Sequence, residues 1–240
     1  KEAGLNIAEL EGGSKENAIP TAARATVIIG DLDRARLNEL AETMQAEVRE
    51  NYNDPEAVIK IESTEDVKEA LTAEDTDRII NLIIEAPNGV QKFSEDIEGL
   101  VQTSLNLGIV KLNNEVTFNF SIRSSVAAEK EELKAGLKKL AESFGGSYEE
   151  SGDYPAWEFR QDSPLRERMV SIYRDMFGSD PVVTAVHGGL ECGILAEKIP
   201  DLDAVSIGPQ LFDVHTTRER LEIASVERTY NFLLDVLNKL

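Results

Sequence analysis

Apolar residues recur with two different periods along this chain, and each switch of period marks an element. Residues 23–29 carry a β-branched run, Thr26, Val27, Ile28 and Ile29, which predicts a strand. Gly30 ends it, and Asp31 is a candidate cap for the next element. Over residues 32–52, Leu37, Leu40, Met44 and Val48 fall three or four apart, the spacing of one helix face. Pro55 breaks that pattern, and residues 57–61 read as a strand. Thr72 is placed to cap a helix reaching about residue 85 with Ile79, Leu82 and Ile83 inside, and Pro87, Asn88 and Gly89 stop it. Residues 100–111 and 115–124 predict two long strands joined by a turn at Leu112, Asn113 and Asn114. In the second, Val116, Phe118, Phe120 and Ile122 alternate with Thr117, Asn119, Ser121 and Arg123, giving one apolar and one polar face. A helix over 127–144 ends at Gly145 and Gly146.

The character changes near residue 150. Ser163 caps a helix that opens on Pro164 and runs to 177. Short apolar strands are predicted at 182–186 and 204–207, with a helix at 189–198 between them and an amphipathic helix closing the chain from 225. That alternation predicts an α/β layer with a sheet covered on both faces, whereas the earlier part predicts long hairpin strands with helices on one side. The expected division is therefore residues 1–150 and 151–240, with the boundary between 145 and 153. The strand at 100–111 is expected to present a long edge that needs covering. No repeat of 20 to 50 residues is present.

Charge narrows the function. Forty-five acidic residues against 25 basic ones leave a net charge of −20. A nucleic-acid binder needs a basic footprint, and docking on anionic lipid needs the same, so neither partner is expected. Cys192 is the single cysteine, which rules out an internal disulfide and fits a reducing, cytosolic compartment. No apolar run reaches the length of a membrane span, and no signal-peptide pattern opens the chain. The chain starts at Lys1 rather than at a methionine, which points to a piece of a longer parent.

Candidate chemistry is sparse. The two histidines, His187 and His215, each follow a predicted short strand, on the side of an α/β sheet where ligands bind. His187 leads into Gly188, Gly189, Leu190 and Glu191; paired glycines allow close backbone approach, and the adjoining helix offers free N–H groups to an anion. A lone histidine can equally be a satisfied structural side chain. Arg123 lies at the end of a strand on its polar face, where a guanidinium fork suits a carboxylate and a surface ion pair is the plainer alternative. Asn17 sits in a turn between strands, a position that turn chemistry alone would explain. There is no His-x-x-x-His, no cysteine pair, no Gly-x-Ser-x-Gly elbow and no phosphate loop.

Taken together, the segments at 12–20 (GGSKENAIP), 88–111 (NGVQKFSEDIEGLVQTSLNLGIVK), 122–125 (IRSS), 187–193 (HGGLECG) and 205–215 (VSIGPQLFDVH) resemble the aminoacyl-histidine dipeptidases, also called peptidase D or cytosol non-specific dipeptidases. The resemblance covers nearly the whole chain in the family's order but matches only the C-terminal half of such a protein. It implies an α/β fold: a two-layer α+β lid that mediates dimerisation, lacking its first elements (residues 1–150), followed by the C-terminal part of an α/β/α zinc-peptidase catalytic domain (151–240). It also implies that Asn17, Arg123, His187, Gly188, Gly189 and Glu191 approach the substrate, with Arg123 the partner of its terminal carboxylate. His215 aligns with the last metal ligand. After His215 the sequence departs from the family's Ser-Pro-Asp-Glu-Arg, reading Thr216, Thr217, Arg218, Glu219 and Arg220.

The function implied is that of a cytoplasmic metallo-dipeptidase acting on Xaa-His and other dipeptides, with two zinc ions per active site in the parent and a homodimer formed through the lid. The family's other metal ligands, bridging aspartate and general-base glutamate fall in the half not matched. This chain alone is accordingly expected to be inactive, to bind zinc incompletely and to contain no catalytic residue of its own. The alternatives are a non-catalytic dimerisation or peptide-binding module, and a subunit whose other half is encoded separately.

Overall fold

The computed structural model describes residues 4–30, 34–64, 67–214 and 216–240. The elements run in the order β1 (Leu5–Gly12), β2 (Ala23–Ile29), α1 (Arg34–Asn51), α2 (Ala73–Glu85), β3 (Gly89–Phe93), β4 (Val101–Leu112), β5 (Val116–Ser124), α3 (Ala127–Ser143), α4 (Pro164–Phe177), α5 (Glu191–Lys198), β6 (Leu211–Phe212), β7 (Arg220–Leu221) and α6 (Ile223–Lys239). The chain divides into two compact units. One comprises Lys1–Asn88, Leu105–Ser121 and Leu137–Tyr148; the other comprises Gly89–Ser104, Ile122–Gly136 and Glu149–Leu240. The five-stranded sheet runs β2-β1-β4-β3, with β5 also paired to β4.

In the first unit, β1 and β2 pair antiparallel from Leu5↔Ile29 to Gly12↔Ala23, with a bulge between Ile7 and Glu9. Helix α2 lies against β1. The Ile7 N–H donates to Thr76 Oγ1 at 3.1 Å, and the Leu71 N–H donates to the Ile7 carbonyl at 2.8 Å. Ile7, Thr76 and Ile79 are buried. The predicted cap holds: Thr72 accepts from the Asp75 N–H, which satisfies one of the donors that a helix start leaves open. The Asp31 cap lies outside the described residues.

A tight fit fixes the turn after β1. Gly13 sits at φ 70°, and a Cβ there would lie 1.8 Å from the Gly108 carbonyl oxygen. A Cβ on Gly108 would in turn lie 2.3 Å from the Glu16 carbonyl oxygen. Beside them, Asn106 Nδ2 donates to the carbonyls of Glu16 and Ala18 at 3.2 and 2.9 Å. No side chain can stand at 13 or 108 without pushing the turn off the strand.

The second unit is built on the α4–α6 pair, with Met169, Ile172, Phe232 and Val236 buried at its centre. The Tyr173 and Phe232 rings meet edge to face at 5.4 Å. Ser163 caps α4 by accepting from the Arg166 N–H at 3.1 Å, Pro164 is its first residue, and Gly178 closes it in the left-handed region at φ 70°. Asp203 reinforces that cap: its carboxylate accepts from Ser163 Oγ at 2.6 Å and from the Leu165 N–H at 2.9 Å.

Several expectations change. Residues 57–61 are not a strand, because α1 takes their backbone groups: the Ile59 N–H donates to Gln45 Oε1 at 2.9 Å and Arg49 Nε donates to the Ala57 carbonyl at 2.8 Å. Residues 182–186 and 204–207 form no ladder either. They have strand composition but no strand beside them among the described residues, and Val182 is 91% exposed. Strand β4 is not an edge, since it pairs with β1, β3 and β5. β3 carries no apolar periodicity and every residue of it is exposed, so pattern alone could not reveal it.

Two stability outcomes are expected from this geometry. Gly108→Ala overpacks the turn against backbone, not against a pliable side chain, and is expected to destabilise the chain by about 1–3 kcal/mol; urea unfolding that matches wild type would refute the fit. The second concerns pH. Burial alone would raise the Asp203 carboxyl, but the bonds from Ser163 and the Leu165 N–H, with Arg160 and Arg166 nearby, hold it below its ordinary range. A depressed carboxyl stabilises the fold above its unfolded pKa of about 4 and loses that stabilisation as pH falls through its folded value. Asp203→Asn should lower the urea midpoint at pH 7 and flatten its decline as the solution is acidified below about pH 4.

Candidate functional site

The site assembles on the ends of β4 and β5 in the second unit. The Ser125 N–H donates to the Gln102 carbonyl at 3.1 Å, and Thr103 Oγ1 lies 2.8 Å from Ser124 Oγ. Gln102 therefore stands opposite Ser125 and Thr103 opposite Ser124, which places Ser104 opposite Arg123 in the same register. Because side chains alternate across a strand, Thr103 and Ser124 share one face and Ser104 and Arg123 the other. Thr103 and Ser124 are buried, whereas Ser104 and Arg123 are half-exposed.

His187 joins the Ser104–Arg123 face. Its Nε2 lies 3.1 Å from Ser104 Oγ. Burial lowers its pKa from the ordinary value, and the positive charge of Arg123 lowers it further. The ring is thus held neutral at pH 7, with one nitrogen engaged by a hydroxyl and a guanidinium within electrostatic reach. A neutral imidazole, a hydroxyl and an arginine together offer hydrogen-bond donors and one fixed positive charge, a combination suited to a carboxylate.

The backbone after His187 is fixed from behind. A Cβ on Gly189 would lie 2.6 Å from the Tyr154 ring, and one on Gly193 would lie 2.7 Å from the Pro155 carbonyl oxygen. Gly188 meets nothing within 4 Å, so its lack of a side chain is not a packing requirement. Tyr154 is itself anchored by Lys130, a buried lysine whose Nζ donates to the Tyr154 carbonyl at 2.5 Å and to Asp153 Oδ1 at 2.7 Å. Lys134 Nζ holds the other Asp153 oxygen at 2.8 Å. Burial would raise the Asp153 carboxyl, but the two lysines hold it below its usual range. Glu191 opens α5 and is exposed.

Of the residues singled out from sequence, Arg123, His187, Gly188, Gly189 and Glu191 all fall in this unit, and Arg123 and His187 interact. Asn17 belongs to the other unit, exposed in the turn that Gly13 and Gly108 fix. His215 lies outside the described residues. Sequence reasoning missed Ser104 and Tyr154. The TSLNLG segment contains Ser104, but a serine in a strand carries no chemistry until its neighbour is known.

Among the described residues, no group of three or more His, Cys, Asp or Glu side chains is placed to hold a metal. Beside the site a cleft of about 1220 Å³ opens in the same unit, lined by Ala156, Phe159, Val183, Val186, Val205 and Ile207 among others. Residues 50–239 match the model of the Peptidase family M20/M25/M40, and residues 1–56 match that of a peptidase dimerisation domain. This chain belongs to the M20/M25/M40 peptidase family.

The M20 relatives sharpen the comparison. The chain is 31% identical over 245 residues to the cytosol non-specific dipeptidase of Escherichia coli (strain K12), with all of this chain and 50% of that protein aligned. The crystal structure of aminoacylhistidine dipeptidase from Vibrio alginolyticus superposes with a TM-score of 0.87 at 31% identity, covering 98% of this chain and 49% of that one. Aminopeptidase PepT from Bacillus cereus superposes over 67% of this chain with a TM-score of 0.50 at 17% identity, a likeness of fold alone. The chain spans about half the length of the dipeptidases it matches. It combines an N-terminal dimerisation (lid) domain with a separate α/β domain of catalytic type, the M20 organisation. No helix of the described residues is long and apolar enough to cross a membrane.

The electrostatics of the pair can be measured directly, because the chain has only 2 histidines. His187 is expected to titrate below about 6.5 in NMR spectra. Arg123→Met should raise that midpoint without restoring the ordinary value, since burial remains. By linkage, the unfolded chain takes up a proton first as pH falls, so His187 subtracts stability below about pH 6.5. A midpoint unmoved by Arg123→Met would refute the pairing.

Proposed function

We propose that this chain is the C-terminal portion of a zinc-dependent cytoplasmic dipeptidase that hydrolyses Xaa-His and other dipeptides, and that it is inactive by itself. The observation that carries the reading is the meeting of Arg123, Ser104 and His187 on one strand face. In a chain 31% identical to a dipeptidase, these residues lie in the segments that carry the resemblance. In this reading the division falls at 1–150 for the lid and 151–240 for the catalytic portion, and the lid forms a homodimer.

The roles assigned to the chain are binding and orientation. Arg123 receives the terminal carboxylate of the dipeptide. His187, neutral at pH 7, donates or accepts one hydrogen bond beside it, its ring held by the contact of Nε2 with Ser104 Oγ. The backbone at Gly188 and Gly189 and the side chain of Glu191 border the pocket, and Asn17 reaches the substrate from the lid. His215 is one ligand of a two-zinc centre whose other donors come from the part of the parent not matched here; the described residues do not supply such a donor set. The unpaired segments at 182–186 and 204–207, with Val182 91% exposed, support the fragment reading, because strands of that composition normally lie inside a sheet. The match of residues 1–56 to a dimerisation domain favours the second reading, a non-catalytic dimerisation or peptide-binding module.

The two readings separate in one assay. The 240-residue chain, given alanyl-histidine or carnosine with zinc, manganese or cobalt, is expected to show no turnover above blank. The polypeptide extended through its upstream coding region is expected to hydrolyse the dipeptide. There, Arg123→Met should raise KM by about 10- to 100-fold, the cost of one charge-assisted hydrogen bond. Turnover by the short chain that survives repurification removes the fragment reading, and an inactive extended protein leaves the module.

A further inference from the structure

Behind the site, the buried hydroxyls of Thr103 and Ser124 on the opposite face of β4 and β5 belong to a half-buried polar cluster with no part in the function described above. Glu129, in the first turn of α3, is its centre. Its Oε1 accepts from Lys92 Nζ and from Gln102 Nε2, each at 2.7 Å, and its Oε2 accepts from the Thr103 hydroxyl. Thr103 Oγ1 meets Ser124 Oγ across the strand pair, and Ser124 Oγ also accepts from the Val126 N–H at 3.0 Å. One carboxylate thus ties α3 to β3 through Lys92 and to β4 through Gln102 and Thr103, and reaches β5 through the hydroxyl of Ser124. A negative charge in the first turn of a helix is favourable in itself. The directed bonds to Gln102 and Thr103, however, go beyond what a helix end requires.

We infer that Glu129 is a positioning residue for the carboxylate site, acting through the Thr103–Ser124 pair to hold Ser104 and Arg123 opposite each other and against His187. The inference rests on the reading of Arg123 and His187 as substrate-binding residues and extends it to the far side of the strands. Its physical basis is the two-residue period of a strand. A one-residue slip of β5 against β4 would exchange the faces and turn Arg123 away from Ser104. The side-chain bonds on the buried face oppose that slip. Burial alone would raise the Glu129 carboxyl, and the bonds from Lys92, Thr103 and Gln102 hold it below its usual range, so it stays an acceptor at neutral pH.

The test tracks the His187 resonances of the labelled chain from about pH 4.5 to about pH 8.5, a range that brackets the ordinary histidine value, with assignment by His187→Asn. Direct electrostatics and positioning predict opposite signs. Glu129→Gln removes a negative charge and leaves Lys92 without its counter-charge, and both effects push a nearby histidine further down. If Glu129 instead holds Arg123 in place, its loss relaxes the guanidinium away from the ring and the His187 midpoint rises toward about 6.5, as it does in Arg123→Met. Thr103→Val should reproduce the rise, and Thr103→Ser, which keeps the hydroxyl, should hold the wild-type midpoint. Where Glu129→Gln fails to fold by circular dichroism, the Thr103 pair decides on the same criterion. A midpoint that stays or falls in folded Glu129→Gln or Thr103→Val overturns the inference. No step of the experiment uses turnover, so the dipeptidase reading can fail in its own assay while this one stands, and the reverse.

Discussion

Strand β4 carries the constraint to which much of the rest is fitted, because its residues from 103 to 108 answer to several different parts of the chain. The Thr103 hydroxyl serves Glu129, Ser104 meets His187, and Leu105 is 1% exposed. Asn106 binds carbonyls of the turn at 16–18, the Leu107 N–H donates to Asn88 Oδ1 at 2.8 Å, and Gly108 admits the Glu16 backbone. No generic strand sequence satisfies that set. A β-branched residue at 108 would collide with backbone, and an aliphatic one at 103 would leave the half-buried Glu129 carboxylate short of a donor. The strand is less hydrophobic than an inner strand usually is because those contacts need polar and small residues.

The second unit is organised differently. Its apolar centre is narrow, four buried side chains between α4 and α6, while much of its aliphatic surface lies open along residues 182–186 and 204–207 and on α5 and α6. Polar bonds place many of its loops. Asp203 ties its segment to the start of α4, and Lys130 ties Asp153 and the Tyr154 carbonyl to α3. A lysine buried to that degree is tolerated because its charge meets a carboxylate and a carbonyl together. In return the Tyr154 ring stands where the backbone at Gly189 must pass.

The polarity of the site arises from the same division of faces. On one side of β4 and β5 the Thr103 hydroxyl binds the Glu129 carboxylate; on the other Arg123 lies within electrostatic reach of a histidine kept neutral by burial and by that arginine. An anion approaching the Arg123 side meets the guanidinium, while the Glu129 carboxylate is already engaged by Lys92, Gln102 and Thr103.

What the sequence alone determined is whatever depends on near neighbours. Strand β2 was legible from its β-branched run, α2 and α4 from Thr72 and Ser163 with the turns after them, and the end of α3 from Gly145 and Gly146, because capping and propensity act within about four residues. The motifs that carried the family resemblance were legible too, and Arg123 and His187 could be named from them. Tertiary structure decided everything that needs a partner far along the chain. Residues 57–61, 182–186 and 204–207 have strand composition, yet a strand exists only when another lies beside it to receive its hydrogen bonds, and none of the described residues does so. Strand β3, with no apolar pattern, is a strand because β4 pairs with it. Ser104, Tyr154 and Glu129 were silent for the same reason: a hydroxyl, a ring or a carboxylate acquires a role only from the groups that folding sets against it. Those neighbours lie 26 residues apart for Thr103 and Glu129 and 83 apart for Ser104 and His187, far beyond the reach of any local pattern.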